Sequence, residues 1–296
     1  MDVVITYVDG LDPLWQKDYE EAVGKKVQAK RFRDWGTLKY LLRGIEFNMP
    51  FIRNVYLVVS RDSQVPAWVN RENLHVVLHE DIIPERFLPV FNSTAIEMFL
   101  HRIPGLDEQF IYFNDDMFPV MHCSESDFYT PDGKLAMGFS RHLFARNMYK
   151  MQVRGSDRLA RKYAGRKHCA FFIRPQHICS PMLKSDCEEL SRLAEADIEA
   201  SITRLRDSGN FNQYVFLVYS LMRGHAVNRR ISKKHISMAV YSPARISEFL
   251  CNPTSSMVCI NDVDIKPDMV QAYRDAIVAG FETILGSKSR FELDSI

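Results

Sequence analysis

The run 110–118 constrains the fold of this chain more than any other segment. Four apolar residues, typical of a buried strand, lead directly into Asn114, Asp115 and Asp116, after which the sequence turns apolar again. Adjacent carboxylates beside a buried strand are costly unless a cation or dense hydrogen bonding compensates them. Two interpretations are open: a turn stabilised by Asn and Asp side chains, or a divalent metal site at a strand end in an α/β sheet.

Composition limits the class of protein. The 296 residues are 46% hydrophobic with a formal net charge of +1, so the chain can form a substantial core, and it lacks the basic balance of a dedicated nucleic-acid-binding protein. The sequence shows neither a membrane span nor a signal-peptide pattern, and its six cysteines include no CxxC pair. We therefore expect a cytoplasmic protein, and attachment at the inner face of the membrane is compatible with this.

Short apolar runs alternate with helical patterns along the chain. The runs 3–8, 55–59, 76–78 and 110–113 predict buried strands, and the pattern 38–48 predicts a helix that ends before Pro50. This alternation predicts an α/β fold with a mostly parallel, doubly wound sheet. In such a sheet, ligands bind beyond the carboxyl ends of the strands.

A basic segment, 141–168, follows this pattern. It contains nine Lys or Arg residues and one acidic residue, Asp157. A solvated face is one interpretation; the other is a mobile lid that contacts a diphosphate, a charged glycan or a membrane surface. Helical patterns follow. The economical prediction is a single domain over 1–296, in which 1–140 and 225–296 form an α/β core and 141–224 form a basic lid and a helical insertion.

Several further residues stand where chemistry is expected. Asp9 and Gly10 follow the first predicted strand, and Asn261 and Asp262 follow the apolar run 257–260, so that the pattern of a strand leading into Asn-Asp occurs twice. Two strand-end clusters of this kind could reach one cation.

Two histidines have contrasting surroundings in the sequence. Glu97 and His101, four residues apart on the helical pattern 94–101, would share one helix face, which could be solvated or could line a site. His177 lies in a polar loop between Pro175 and Pro181. Its ring is suited to acid–base chemistry near neutral pH.

Four blocks, in order along nearly the whole chain, carry a resemblance to a known family. They are Ile5-Thr-Tyr-Val-Asp9-Gly-Leu-Asp-Pro13, the stretch from Arg31-Phe-Arg-Asp34 to Tyr112-Phe-Asn-Asp-Asp-Met-Phe118, the stretch from His177 to Arg206, and Cys259-Ile-Asn-Asp262. The sequence resembles the Stealth family, bacterial capsule-polymer hexose-1-phosphate transferases related to the animal lysosomal-enzyme N-acetylglucosamine-1-phosphotransferase. The third block departs from the family pattern, because Ser180-Pro181 stands where the family often has a Pro with a second His.

The resemblance implies a Rossmann-like nucleotide-sugar transferase fold and a phosphotransferase reaction. A sugar-1-phosphate would move from a UDP-sugar to a hydroxyl of an acceptor glycan, with formation of a phosphodiester and release of UMP, in the synthesis of capsule or a related phosphoglycan. A metal-dependent glycosyltransferase that releases UDP is the nearest alternative, and a catalytically inactive glycan-binding protein is another. The implied partners are the donor and the acceptor, with no nucleic acid; the sequence does not predict an oligomeric state.

The resemblance also implies roles for individual residues. Mg²⁺ or Mn²⁺ would be held by Asp115, Asp116, Asn261 and Asp262. Catalysis would depend on His177 as general base, together with Arg206, Arg31 and Asp116. The donor would be bound by Tyr7, Val8, Asp9, Gly10, Asp34, Asn92, Glu97, His101 and Asn114.

Overall fold

The computed structural model describes residues 1–27, 32–263 and 265–294. Its strands are β1 (Asp2–Thr6), β2 (Asn54–Val59), β3 (His75–Leu78), β4 (Gln109–Asn114), β5 (Met117–Pro119), β6 (Leu135–Met137), β7 (Phe139–His142), β8 (Phe172–Pro175), β9 (Ser180–Leu183), β10 (Ala226–Asn228), β11 (Lys233–Ser237) and β12 (Met257–Asn261). Its helices are α1 (Pro13–Val23), α2 (Leu38–Asn48), α3 (His79–Ile82), α4 (Ser93–Glu97), α5 (Met148–Tyr163), α6 (Lys184–Leu193), α7 (Glu195–Ser201), α8 (Tyr214–Arg223), α9 (Pro243–Cys251) and α10 (Val270–Ile284). Within these residues, no helix combines the length and apolar character needed to cross a bilayer.

A five-stranded sheet with the order β3-β2-β1-β4-β9 organises the α/β fold. Its strands are mostly parallel, and β9 pairs antiparallel with β4, with Ser180 opposite Tyr112. Strands β1, β2 and β4 are apolar and buried along nearly their whole length, as expected where both faces of a sheet are covered. The α/β class with a mostly parallel sheet is therefore confirmed, and the order β3-β2-β1-β4 is consistent with a Rossmann-like arrangement. The doubly wound arrangement stays a prediction.

The predicted strands and the first predicted helix are confirmed in β1 to β4 and α2, with ends that differ by at most two residues. The helical pattern 94–101 is wrong in extent. Helix α4 ends at Glu97, because Met98 and Phe99 donate to the carbonyls three residues earlier and tighten the last turn. A separate 3-10 turn, Leu100–Arg102, then carries His101.

Internal contacts divide the chain into two compact units. The first unit comprises Met1–Val4, Val77–Tyr112 and Ser126–Ile231. The second comprises Ile5–Val76, Phe113–Glu125 and Ser232–Ile296, with the undescribed positions left aside. The boundaries of these units differ from those of the predicted core (1–140 and 225–296) and insertion (141–224). That division of the chain stays a prediction.

The second unit contains a three-stranded sheet with the order β11-β12-β5. Strand β12 runs parallel to β11 and antiparallel to β5, with Cys259 opposite Met117. Helix α2 packs closely on β5, because a Cβ at Gly44 would lie 2.5 Å from the carbonyl oxygen of Pro119. The ring of Phe281 on α10 lies against Tyr40 and Phe118 and completes this core.

The first unit is held together by buried polar contacts as well as apolar ones. The Tyr129 hydroxyl lies 2.8 Å from the carbonyl oxygens of Phe110 on β4 and Met182 on β9. Helix α5 packs on α8, and its Asp157 and Arg161 form a buried ion pair at 2.8 Å. Gly155 of the basic segment lies in the middle of α5. The basic segment therefore contains a regular, packed helix, and its movement as a lid stays a prediction.

A buried ion pair connects α2 to the C-terminal part of the second unit. The Arg43 guanidinium donates two hydrogen bonds of 2.8 Å to the Glu292 carboxylate and one of 2.9 Å to the carbonyl oxygen of Leu285. Both charged side chains are less than 10% exposed. Arg71 and Asp62 form a comparable two-bond pair on the surface.

Arg43→Ala should lower the free energy of unfolding by about 3–5 kcal/mol, because it leaves the Glu292 charge buried without its partner. Arg71→Ala is the matched control and should cost at most about 1 kcal/mol, since solvent screens the exposed pair. Urea unfolding followed by circular dichroism measures both. Equal losses in the two variants would contradict the importance of the buried pair.

Candidate active site

The two adjacent carboxylates form a tight turn between two strands. Strand β4 ends at Asn114 and β5 begins at Met117, so Asp115 and Asp116 alone connect them. All three polar side chains of this turn are partly buried. The turn interpretation is therefore right about the backbone, but it does not account for the burial of adjacent carboxylates.

Burial, followed by mutual repulsion, determines the electrostatics of the turn. Burial, reinforced by the negative charges of Asp116 and Asp34, raises the pKa of Asp115 from 3.8 to about 7. Burial and repulsion from Asp9 raise the pKa of Asp34 as well. Burial and the neighbouring carboxylates also raise the pKa of Tyr7 above its usual value, so its hydroxyl stays protonated and donates to Asp34. The charged forms of Asp115 and Asp34 are therefore disfavoured in the folded protein.

The second Asn-Asp cluster lies beside the first. The antiparallel register of β12 and β5 places the backbone N–H of Ile260 2.9 Å from the carbonyl oxygen of Asp116. The thiol of Cys259 donates to the Asp116 carboxylate across 3.5 Å. Asn261 ends β12 and Asp262 follows it. The structure thus brings the two strand-end clusters together.

Asp262 is engaged by Arg33, from the Arg-Phe-Arg-Asp block, and by Trp35, which follows that block. Nη1 of Arg33 lies 3.4 Å from each carboxylate oxygen of Asp262, and Nε1 of Trp35 donates to it across 3.1 Å. The sequence analysis selected Arg31 from this block, but Arg31 lies outside the described residues. It missed Arg33, although the same motif offered two guanidiniums two residues apart.

A pocket of about 150 Å³ lies next to the carboxylates of the second unit. Its lining includes Tyr7, Asp9, Asp34, Lys39, Gln64 and Trp68. Buried Gln64 fixes the backbone of Asp9 by accepting from its N–H at 2.7 Å and donating to its carbonyl at 3.1 Å. Gly10 is required by close packing, because a Cβ there would overlap the carbonyl of Phe32. Val8, between Tyr7 and Asp9 in the sequence, is partly exposed.

The remaining predicted residues belong to the first unit, where His177 lies between β8 and β9. Its Nδ1 is 3.0 Å from the hydroxyl oxygen of Tyr214, the first residue of α8. The ring of Tyr149 meets His177 edge-on, with 5.7 Å between centroids, and the Tyr149 hydroxyl donates to Tyr214 across 3.4 Å. Sequence reasoning missed both tyrosines, which are 28 and 37 residues away from His177 along the chain.

Glu97 and His101 are both buried, so the solvated-face alternative is wrong. Glu97 accepts from the backbone N–H of Gln213 at 2.9 Å, and burial raises its pKa to about 7 although Arg206 opposes the shift. Burial lowers the pKa of His101 to about 4. Exposed Arg206 donates to the hydroxyl of Ser93 at the start of α4.

Asn92 stabilises the start of α4. Its side-chain oxygen accepts from the backbone N–H of Thr94 at 3.1 Å and so caps α4. Its amide nitrogen donates to Asn210 at 3.0 Å and to the carbonyl of Thr203 at 3.1 Å. Its predicted role in donor binding, like the other site assignments, stays a prediction.

Comparison with known proteins shows which sequences this chain resembles. Residues 31–137 match the family model described as Stealth protein CR2, conserved region 2. The chain is 30% identical to the capsular polysaccharide phosphotransferase WcwK of Streptococcus pneumoniae, over 99% of each chain. It is likewise 30% identical to the receptor polysaccharide phosphotransferase WefC of Streptococcus oralis over 99% of each chain. It is 33% identical to the capsular polysaccharide phosphotransferase LcbA of Aeromonas hydrophila, over 78% of this chain and 68% of that protein.

Similarity over the full length to these enzymes places this α/β protein among the polysaccharide phosphotransferases. The chain belongs to the Stealth family of capsular polysaccharide phosphotransferases.

The raised pKa of Asp115 predicts a specific dependence of stability on pH. Its folded-state pKa lies above the unfolded value, so the folded state holds the extra proton between about pH 4 and pH 7 and stability falls as pH rises through that window. Without divalent cations, Asp115→Asn should therefore stabilise the protein more at pH 8 than at pH 5, by on the order of 2 kcal/mol.

Urea unfolding in EDTA at both pH values measures this difference. Asp132→Asn is the control, because this exposed carboxyl has a pKa lowered to about 2 by Lys134 and Thr130 and gains nothing from neutralisation. If Asp115→Asn raised the free energy of unfolding equally at both pH values, the Asp115 carboxyl would not be the titrating group.

Proposed function

We propose that this protein transfers a sugar-1-phosphate from a UDP-sugar to a hydroxyl of an acceptor glycan, with release of UMP, in the synthesis of capsule or a related polysaccharide. The observation that carries the proposal is the burial of Asp115 beside Asp116 and Asp34, which raises the pKa of Asp115 to about 7. Phosphoryl transfer depends on positioning and on charge neutralisation, and clustered carboxylates serve this by holding a divalent cation. The phosphotransferase names of the full-length relatives support the same reaction class.

Mg²⁺ or Mn²⁺ is the cation that the donor set suits. Asp115 and Asp116 would hold it, with Asn114, Asn261 and Asp262 in support, and all of these offer oxygen ligands. When bound, the ion would neutralise charge on the diphosphate oxygens of the donor. Asp262 would have to exchange Arg33 for the cation, because the two side chains are paired in the structure.

The thiol beside the carboxylates supports a hard cation over a soft one. Burial, with Asp116 next in importance, raises the pKa of Cys259 well above its usual value. The group therefore remains a thiol and donates to Asp116, as the 3.5 Å contact shows. A thiolate, which soft metals prefer, is disfavoured at this position.

The nucleoside of the donor would occupy the pocket of the second unit. Asp9 and Asp34 offer carboxylate oxygens to ribose hydroxyls, and Lys39 offers positive charge in the same lining. The ring of Tyr7 and the backbone of Val8 and Gly10 would lie against the base or the ribose. In the first unit, Glu97 and His101 would line the site of the transferred sugar, together with Asn92.

His177 would accept the proton of the acceptor hydroxyl. The hydroxyl oxygen of Tyr214, 3.0 Å from Nδ1, fixes the ring orientation. When this oxygen accepts the Nδ1 proton, the lone pair of the neutral ring lies on Nε2, which is the tautomer a general base requires. Arg206 would stabilise negative charge on the phosphoryl oxygens, and Arg31 is proposed for the same role from its motif alone.

Analysis of the nucleotide product tests the proposed reaction. The protein should form UMP from a matching UDP-sugar and a capsular acceptor in the presence of Mg²⁺, and EDTA should abolish this. Asp116→Asn should lower the rate by about 10²-fold or more, since it removes one charge from the cation site while preserving volume. Release of UDP would identify a glycosyltransferase and reject the proposal.

His177→Ala should lower kcat by about 10²–10⁴-fold and remove the acid limb of the kcat–pH profile, with little change in donor affinity. Tyr214→Phe should lower kcat less and shift the same limb, because the ring loses its hydrogen-bonded orientation. Tyr219→Phe, on the same helix but with its hydroxyl beside Glu189, is the matched control. A large rise in the Kd for the donor with an unchanged pH profile would make His177 a donor ligand.

A further inference from the structure

A cluster of exposed apolar side chains lies where β7 leads into α5. Leu143 is 55% exposed, Phe144 63%, Met148 46% and Met151 44%, all within nine residues. Isolated exposed apolar residues are ordinary on protein surfaces, but a contiguous group of four large ones marks an interaction site.

Basic side chains surround this cluster. The Arg146 guanidinium stacks on the Phe144 ring at 5.2 Å, and Arg141, Lys150 and Arg158 lie on the same segment. None of these four cations forms an ion pair with a carboxylate in the described part of the chain. The only acidic residue of the segment, Asp157, is buried against Arg161 and does not offset the surface charge.

The cluster stands on a rigid support. Met148, Met151 and Arg158 are spaced by three and seven residues and so share one face of α5. The opposite face is buried against α8, and the Ser156 hydroxyl exchanges hydrogen bonds of 3.1 and 3.2 Å with Asn212, just before α8. Met148, Met151 and Arg158 are thus presented by an anchored helix, and Leu143 and Phe144 lie in the segment that leads into it.

We propose that this surface docks the protein on an anionic lipid bilayer. The docking surface consists of Leu143, Phe144, Met148 and Met151 with Arg141, Arg146, Lys150 and Arg158. Its apolar side chains would enter the boundary between headgroups and acyl chains, while its cations contact lipid phosphates, which is the combination that interfacial segments use. A soluble anionic glycan would match the charges only, because a hydrated chain gains little from contact with Phe144 and Leu143.

Vesicle co-sedimentation of the full chain tests the proposal. Binding should be strong to vesicles that contain phosphatidylglycerol, weak to phosphatidylcholine alone, and reduced by high salt. Phe144→Ser combined with Met148→Ser, and separately Arg146→Gln combined with Lys150→Gln, should each weaken binding by about tenfold. Val240→Ser combined with Arg245→Gln changes an equally exposed apolar residue and cation elsewhere and should leave binding intact.

A separate measurement tests whether residue 144 enters the bilayer. Fluorescence of a Phe144→Trp variant should shift to shorter wavelength and be quenched by brominated lipid, beyond any change in the unsubstituted protein. Equal binding to neutral and anionic vesicles, unchanged binding after Phe144→Ser with Met148→Ser, or an unquenched Trp would overturn the proposal. So would binding only to a soluble phosphoglycan that depends on Arg146 and Lys150 but not on Phe144. Urea unfolding midpoints equal to that of the unsubstituted protein confirm that each variant is folded.

Discussion

Repulsion among partly buried carboxylates is the constraint on which the second unit depends. Asp9, Asp34, Asp115 and Asp116 approach each other because the chain segments that follow β1 and β4 converge with the loop after α1, and the stability of the strands holds them there. A fold selected for stability alone would separate these charges. The proposed cation would relieve this repulsion, and that relief would strengthen its binding.

Under the proposed function, the two units would contribute different parts of the chemistry. Crowded carboxylates, the pocket and the paired Arg33 and Asp262 belong to the second unit, which suits recognition of a charged nucleotide donor. A histidine fixed by a tyrosine and an exposed arginine belong to the first unit, which suits proton transfer and charge stabilisation. Each set is assembled by hydrogen bonds within its own unit.

Local patterns were sufficient to predict much of the fold. Continuous apolar runs fixed the strands β1 to β4, because burial on both faces leaves no room for polar alternation. The prediction of one helix through Glu97 and His101 was wrong. The backbone hydrogen bonds change there from a spacing of four residues to a spacing of three, and the spacing of apolar residues does not reveal that change. Long-range pairs were equally hidden: Arg33 and Asp262 meet across 229 residues, and only the register of β12 reveals that Asp262 is near Asp116.

The glycine on α2 has a consequence for how distant changes reach the carboxylate turn. Gly44 lets α2 rest directly on Pro119, and β5 is only three residues long, so its other end is the residue that follows Asp116. A single added methyl group at Gly44 would press on Pro119, at one end of a three-residue strand whose other end adjoins the turn of Asp115 and Asp116. Because a displacement of about 1 Å can cost two orders of magnitude in rate, α2 would influence the proposed reaction through the position of this turn.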